Sequence, residues 1–517
     1  MSSDPQRKKI VIVGGGTAGW MVAALLSKAF LKAGDKGPAI TVLESQEVAP
    51  IGVGEATVHT MRGFLAACGV TEGKFMADTD ATLKHGILFQ DWLRLPVNGR
   101  RHRYFHPFEV PPALAEEGLV AHWLNATLKG ETVERFDRWA GVQAALAAAN
   151  RSPKSFQDMP FEALTPYGYH FDANKVAHHL KDLCLKRGVE HKLGHVVEVE
   201  LASPQQISQL KLEEGEIISG DLFVDCTGFS RRLHAQLSPD WISYKDRLFV
   251  DRALTVRVPR NEPGYRPRPY TTATARQAGW TFEIDLMQRQ GIGLVYASAH
   301  QSEEEAEREL RSAYDLAEAD LAMKRISFES GRVKHPWMGN CIALGLSQGF
   351  LEPLESTGLY FVEMGARLIS DFLTFDPTAR VVQDRYNSIM NELFDHSADF
   401  LVLHYILSKR EDTSFWRSVK ADTVLSDRLK MLLELWQTKL VSDADLFDGQ
   451  KPFEALNHAF ILYGMDRTPA ELPELIEFLP VKNSIDLFET IRQAQASAVQ
   501  GTVDHRDFIQ KYAGAFG

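Results

Sequence analysis

Three consecutive glycines, set between an apolar run and a helix-periodic run, constrain this chain more than any other feature. Residues 10–13 (IVIV) are a continuous β-type run, the pattern of a strand buried on both faces of a parallel sheet. Gly14-Gly15-Gly16-Thr17-Ala18-Gly19 follows at once, residues 20–30 read as an amphipathic helix, and a second apolar run over 39–43 ends at Glu44. This is a βαβ unit with a GxGxxG turn and an acid 25 residues beyond Gly19. Such glycines let the backbone approach a pyrophosphate seated on the helix N-terminus, and an acid at the second strand's end suits a ribose hydroxyl. Gly14, Gly16, Thr17, Ala18, Gly19 and Glu44 are therefore candidate cofactor contacts. The same glycines disfavour helix, so the basic and apolar stretch 7–26 does not read as a secretory signal, and a cytoplasmic location is expected.

The rest of the 517-residue chain narrows the class. A net charge of −11 argues against general nucleic-acid binding, and no apolar run reaches membrane-spanning length. Four cysteines without CxxC spacing fit a reducing compartment and no metal site. The patterning predicts a helix over 172–184, strands over 196–199 and 221–225, antiparallel strands over 246–300, a charged solvated helix over 302–315, and mostly helix from about 357. No second GxGxxG occurs, so one Rossmann unit for FAD and another for NAD(P)H are not both present. Residues 222–228 (LFVDCTG) and 340–345 (NCIALG) are hydrophobic strands ending in glycine turns, resembling those at which flavoproteins of the glutathione-reductase and hydroxybenzoate-hydroxylase type return to the cofactor. The expected class is α/β (α+β). It comprises an FAD-binding Rossmann-like domain with an antiparallel sheet over 1–375, a helical insertion at about 105–160, and a mostly helical substrate-pocket part over 376–517.

Several blocks carry a more specific resemblance. VGGGTAGW (13–20), GVGEAT (52–57), HFDA (170–173), DLFVDCTG (221–228), FLEPLESTGLYF (350–361) and REDTSFWR (410–417) together resemble the flavin-dependent tryptophan halogenase family. The resemblance implies a two-component enzyme in which reduced FAD (FADH2), O2 and chloride or bromide yield hypohalous acid. That oxidant passes through an internal tunnel and halogenates an aromatic ring. It implies Lys84 and Glu355 as catalytic residues, Thr357 and Gly358 as the halide site, and Leu359 against the flavin. Ser45, Val48, Ile51 and Ala56 would be further cofactor contacts, with Val196 near the adenine and Leu346 near the isoalloxazine. His106 and Phe108 would form one aromatic side of the substrate pocket. A separate NAD(P)H-dependent flavin reductase would supply FADH2, and a homodimer is the family's habit. Read without the resemblance, Lys84 is one surface lysine among many. Glu355 could be a carboxylate capping a helix begun at 356–358, and the apolar contacts could be ordinary core.

Two blocks depart from the family. Its WxWxIP block aligns with Trp280-Thr281-Phe282-Glu283-Ile284-Asp285, so the second Trp is Phe282 and the proline is Asp285. The segment that should close the indole pocket, 447–458, is short and lacks the Phe-Trp pair, and Leu446-Phe447 replace paired tyrosines. These departures predict a more open pocket, taking an indole derivative rather than free tryptophan and reacting at indole C3. The alternative is a flavin-dependent aromatic monooxygenase.

Overall fold

A computed structural model describes residues 7–47, 55–109, 118–131, 134–260, 262–316, 321–447, 449, 452–469 and 474–516. Val48 and Ile51, with Gly52-Val53-Gly54 of the GVGEAT block, lie outside the described residues. The chain forms two compact units, each assembled from three segments: 1–80, 171–244 and 329–394 in the first; 81–170, 245–328 and 395–517 in the second.

The first unit is built on a six-stranded sheet. Its strands run in the order Trp337–Met338, Cys341–Ala343, Leu222–Asp225, Lys9–Val13, Ala39–Glu44 and Glu190–Leu193. The glycine-rich strand is central and parallel to both neighbours, with Ile10 opposite Ile40 and Leu222. The runs at 222–225 and 341–343 are adjacent parallel strands, so both strand ends emerge beside the glycine turn. Alternation sends Val11, Val13 and Phe223 to one face, where an antiparallel meander (Val196–Ser203, Gln206–Leu212, Ile217–Ser219) covers them with Val196, Ile207, Leu210 and Leu212. Helix Thr17–Ala29 packs with Ala173–Leu185 and Gly358–Asp371. The Asp172 carboxylate caps the second of these, accepting Asn174 and Lys175 N–H.

The second unit centres on a seven-stranded sheet. The order is Lys324–Ser327, Arg252–Pro259, Arg289–Tyr296, Gly279–Asp285, Thr271–Ala275, Gly86–Gln90 and Arg103–Pro107. Every pairing is antiparallel except that of Thr271–Ala275 with Gly86–Gln90. The charged helix is Glu303–Ala313, begun by a Ser302/Glu305 capping box; Ala306 and Leu310 are its buried stripe, packed on Leu254, Val256, Ile292 and Leu294. Helices Leu119–Leu128, Phe136–Trp139 and Gln143–Ala148 occupy the predicted insertion, and Ala455–Gly464, Val481–Gly501 and His505–Gly514 complete the helical part. Among the described residues, no helix is long and apolar enough to cross a membrane.

Candidate active site

The glycine turn is shaped by close approach. A Cβ on Gly14 (φ +121°) would collide with the Cys226 carbonyl, one on Gly15 with the Glu44 side chain, and one on Gly19 with the Gly14 carbonyl oxygen. Gly16 differs: a Cβ there would meet nothing within 4 Å, and it opens helix Thr17–Ala29. An open cradle of backbone at a helix N-terminus is what a pyrophosphate requires, so these residues fit the FAD phosphates. Thr17 Oγ1 donates to the Ala173 carbonyl at 3.2 Å, fixing the helix start. Glu44 ends its strand half-buried, its Oε2 2.8 Å from His191 Nε2 and 3.5 Å from Lys181 Nζ. Ser45 Oγ lies 3.1 Å from His195 Nδ1. Ala56 is half-buried, and Val196 belongs to the meander's core.

Sequence reasoning missed Asp225. Its buried carboxylate accepts Thr227 N–H and Oγ1–H, Leu233 N–H, His234 N–H and Ser347 Oγ–H, at 2.7 to 3.1 Å. One side chain thereby ties the turn after Leu222–Asp225 to the turn Gly345–Ser347, which carries Leu346. The second turn presses on the cofactor helix, since a Cβ on Gly345 would lie 2.9 Å from Ala18 Cβ.

The LEPLESTG block forms a short 3₁₀ turn, Pro353–Glu355, followed by helix Gly358–Asp371. Glu355 is 2% exposed. The helix starts where the sequence suggested, with Thr357 as N-cap, but the Thr357 side chain makes no capping bond. Its Oγ1 is buried without a hydrogen-bond partner, and beside it Gly358 has open space where a Cβ would stand. A hydroxyl donor and free N–H groups at a helix N-terminus fit a small anion such as a halide. Leu359, in the first turn, is half-buried.

Lys84 and the aromatic residues belong to the second unit. Lys84 ends strand Thr82–Lys84, pairs with Gly168, and is 0% exposed, so it is no surface lysine. Its Nζ stands 5.1 Å from the centroid of the Phe108 ring. His106, on strand Arg103–Pro107, has its Nε2 2.9 Å from Asn457 Nδ2 and its ring within 6 Å of Phe400 and Phe460. Phe453 is stacked on Phe400 with centroids 3.8 Å apart, and His458 meets Phe400 edge-on. The described part of segment 447–458 supplies Phe453, Asn457 and His458 to an aromatic wall around His106, while Phe447 is 80% exposed. Asp448, Gln450 and Lys451 of that segment lie outside the described residues.

The altered tryptophan block is strand Gly279–Asp285, with Trp280, Phe282 and Ile284 all buried. The Phe282 ring lies against Gly293, where any Cβ would strike it. Asp285, in the proline's place, takes both arms of the Arg268 guanidinium at 2.8 Å. Burial opposes its charge, but the Arg268 fork prevails and holds the carboxyl below its usual range.

Burial also keeps several imidazoles neutral. His505 is lowered to about 4, and His85 and His458 to about 3, chiefly by desolvation. A depressed folded-state pKa gives stability that is complete above the unfolded value of 6.5 and lost as pH falls toward the folded value. Urea midpoints are expected to drop between pH 6.5 and 4, each histidine contributing roughly 1.4 kcal/mol per pH unit across its window. A flat profile there would show these rings to be solvated.

A parallel βαβ core with a phosphate-type glycine turn places the first unit in the dinucleotide-binding class. The tryptophan halogenase family model matches residues 9–480. The chain is 38% identical to the tryptophan 6-halogenase of Streptomyces toxytricini over 481 residues, which is 88% of this chain and 89% of that protein. The crystal structure of a tryptophan halogenase from Shewanella frigidimarina NCIMB 400 matches with a TM-score of 0.92 at 31% identity, covering 99% of this chain and 98% of that one. A tryptophan C-6 flavin-dependent halogenase (chlorinase) from taromycin biosynthesis matches with a TM-score of 0.90 at 33% identity, covering 98% and 100%. The chain belongs to the tryptophan halogenase family and is a flavin-dependent halogenase.

Proposed function

We propose that this enzyme halogenates an electron-rich aromatic compound, an indole derivative rather than free tryptophan, in the cytoplasm, with FADH2 delivered by a separate NAD(P)H-dependent flavin reductase. The observation that carries the reading is Lys84, a fully buried amine beside the Phe108 ring. Bound reduced FAD, with O2 and chloride or bromide, supplies hypohalous acid. The glycine turn and Glu44 hold the cofactor's pyrophosphate and ribose, while Thr357 Oγ1 and the N–H groups from Gly358 hold the halide. The Lys84 ammonium donates a hydrogen bond to the hypohalous oxygen and polarises the O–X bond. His106 and Phe108 orient the flat ring by its π-face. As the ring's π-electrons form the C–X bond and the O–X bond breaks, positive charge builds on the arene. The Glu355 carboxylate stabilises that charge and then takes the ring proton, so aromatic C–H and HOX become C–X and water.

The preference for an indole derivative is supported by the segment 446–458, which lacks the Phe-Trp pair and whose Phe453 is committed to stacking on Phe400. The test supplies FAD, a flavin reductase, NADH, O2, bromide or chloride, and a panel including indole, substituted indoles, phenols and tryptophan. Mass spectra are expected to show a halogen isotope pattern on indoles, with C3 substitution by NMR. Glu355→Gln is expected to lower kcat by about 10²-fold while FAD binding persists, since the amide keeps the shape but takes no proton. Oxygen added in place of halogen would establish the monooxygenase alternative. Clean benzo-ring halogenation of tryptophan with indole unreacted would refute the substrate assignment.

A further inference from the structure

Strand Thr82–Lys84 is only three residues long, and one of its edges pairs with Gly168–Phe171. The partners on its other side come from residues 267–269, Pro-Arg-Pro. Pro267 and Pro269 have no N–H, so their backbones can only accept. The His85 N–H reaches the Pro269 carbonyl directly at 2.7 Å. Two residues earlier the direct bond is replaced. The Leu83 N–H donates to His505 Nε2 at 3.1 Å, and His505 Nδ1 lies 3.1 Å from the Pro267 carbonyl. Since Leu83 is the donor, Nε2 is the bare acceptor, so Nδ1 carries the proton and donates to Pro267. One neutral imidazole, itself fully buried, therefore completes a rung that two backbones do not close. Between the two rungs, Arg268 forks onto Asp285, and the Asp285 backbone carbonyl accepts the Thr82 hydroxyl at 2.8 Å. The bonds reach the residues on both sides of Lys84 and the one before Leu83.

We propose that His505, supported by the Arg268–Asp285 pair, is a positioning residue that sets Lys84: the imidazole bridge fixes the Leu83 peptide and so aims the neighbouring ammonium. The bond is specific because it requires an acceptor at one nitrogen and a donor at the other, and an apolar side chain of similar volume offers neither. A displacement of about 1 Å at a reacting group can cost roughly 10²-fold in rate. The inference rests on the role of Lys84 proposed above.

The test uses the full chain loaded with FAD, with reductase, NADH, O2, bromide and an indole, plus a soluble hypohalite trap. His505→Leu is expected to lower kcat by about 10²-fold, to leave KM for the indole and FAD affinity within about twofold, and to divert oxidant to the trap. His505→Gln, whose amide oxygen can accept the Leu83 N–H, is expected to recover most of kcat and coupling. Thr82→Val, which removes only the hydroxyl bond to Asp285, is expected to leak oxidant in the same way and carries the test should His505→Leu not fold. Wild-type kcat and coupling in a folded His505→Leu or in Thr82→Val, or equal impairment of the Leu and Gln variants, would overturn the proposal. Lys84→Met measured alongside separates the two readings. If it is inactive while His505→Leu is unimpaired, only the positioning role fails; if it is active, the reading of Lys84 itself fails.

Discussion

Lys84→Met is expected to lower halogenation by about 10²- to 10³-fold and to leave a folded protein that binds FAD as the wild type does. The rate effect follows from where the amine sits. Removing one preorganised donor from a water-excluded site costs about 10² to 10³ in kcat, and Lys84 is fully buried. If it holds the oxidant, no water can replace it there. Methionine keeps the unbranched stem and approximate volume, so the Phe108 ring retains an apolar neighbour. The fold survives because the strand is held by backbone and neighbouring groups: the pairing of Lys84 with Gly168, the Leu83 bond to His505 and the Thr82 bond to Asp285 do not use the ammonium. FAD binding survives because the glycine turn, Glu44 and the Gly345–Ser347 turn all belong to the other unit. Product formation by mass spectrometry, FAD titration and a melting curve together check the prediction. Activity within tenfold of wild type would remove Lys84 from the mechanism, and loss of FAD binding would show it to be a structural cation.

The second large effect separates two glycines of one motif. Gly19→Ala places a methyl group on the Gly14 carbonyl oxygen, which is backbone and cannot move without shifting the central strand. That variant is expected to lose several kcal/mol of stability, in the range of overpacked core sites, and to fold poorly. Gly16→Ala meets no atom within 4 Å, and Gly16 has extended φ/ψ of −78° and −176° that alanine adopts freely. Its apo-protein is expected to melt within about 2 °C of wild type, yet to bind FAD at least about tenfold more weakly, because the methyl group occupies the approach of the pyrophosphate. Isothermal titration with FAD and apo-protein melting curves distinguish these outcomes. Unchanged FAD affinity in Gly16→Ala would move the phosphate site away from this turn.

Much of the architecture was legible in the chain because it is locally encoded. The apolar runs at 10–13 and 39–43, the glycines between them and the acid at 44 specify a βαβ unit within some 35 residues, and the observed strands and helix fall within a few positions of the pattern. Among the described residues, the alternating stretch over 246–300 forms four antiparallel strands. The start of helix Gly358–Asp371 was readable from Ser356-Thr357-Gly358.

Side-chain contacts across long sequence separations were not legible. The bond between Asn457 and His106 joins residues 351 positions apart, and that between Leu83 and His505 joins residues 422 apart. A lone histidine or asparagine on a helix has no periodicity that announces its partner. In the sequence Asp285 is only a departure from the family's proline; its partner, Arg268 with both arms engaged, is visible in the structure alone. The face-to-face packing of Phe453 on Phe400 was likewise invisible in the sequence.

Sequence alone determined the kind of cofactor turn this protein makes and the family to which its blocks point, because glycine conformations, strand period and motif order are properties of short stretches. Tertiary structure alone decided that Lys84 is buried, that Thr357 presents an unsatisfied hydroxyl at a helix start, and that one imidazole closes the strand beside the lysine. Burial, hydrogen-bond satisfaction and tautomer depend on groups that only folding brings within about 3 Å.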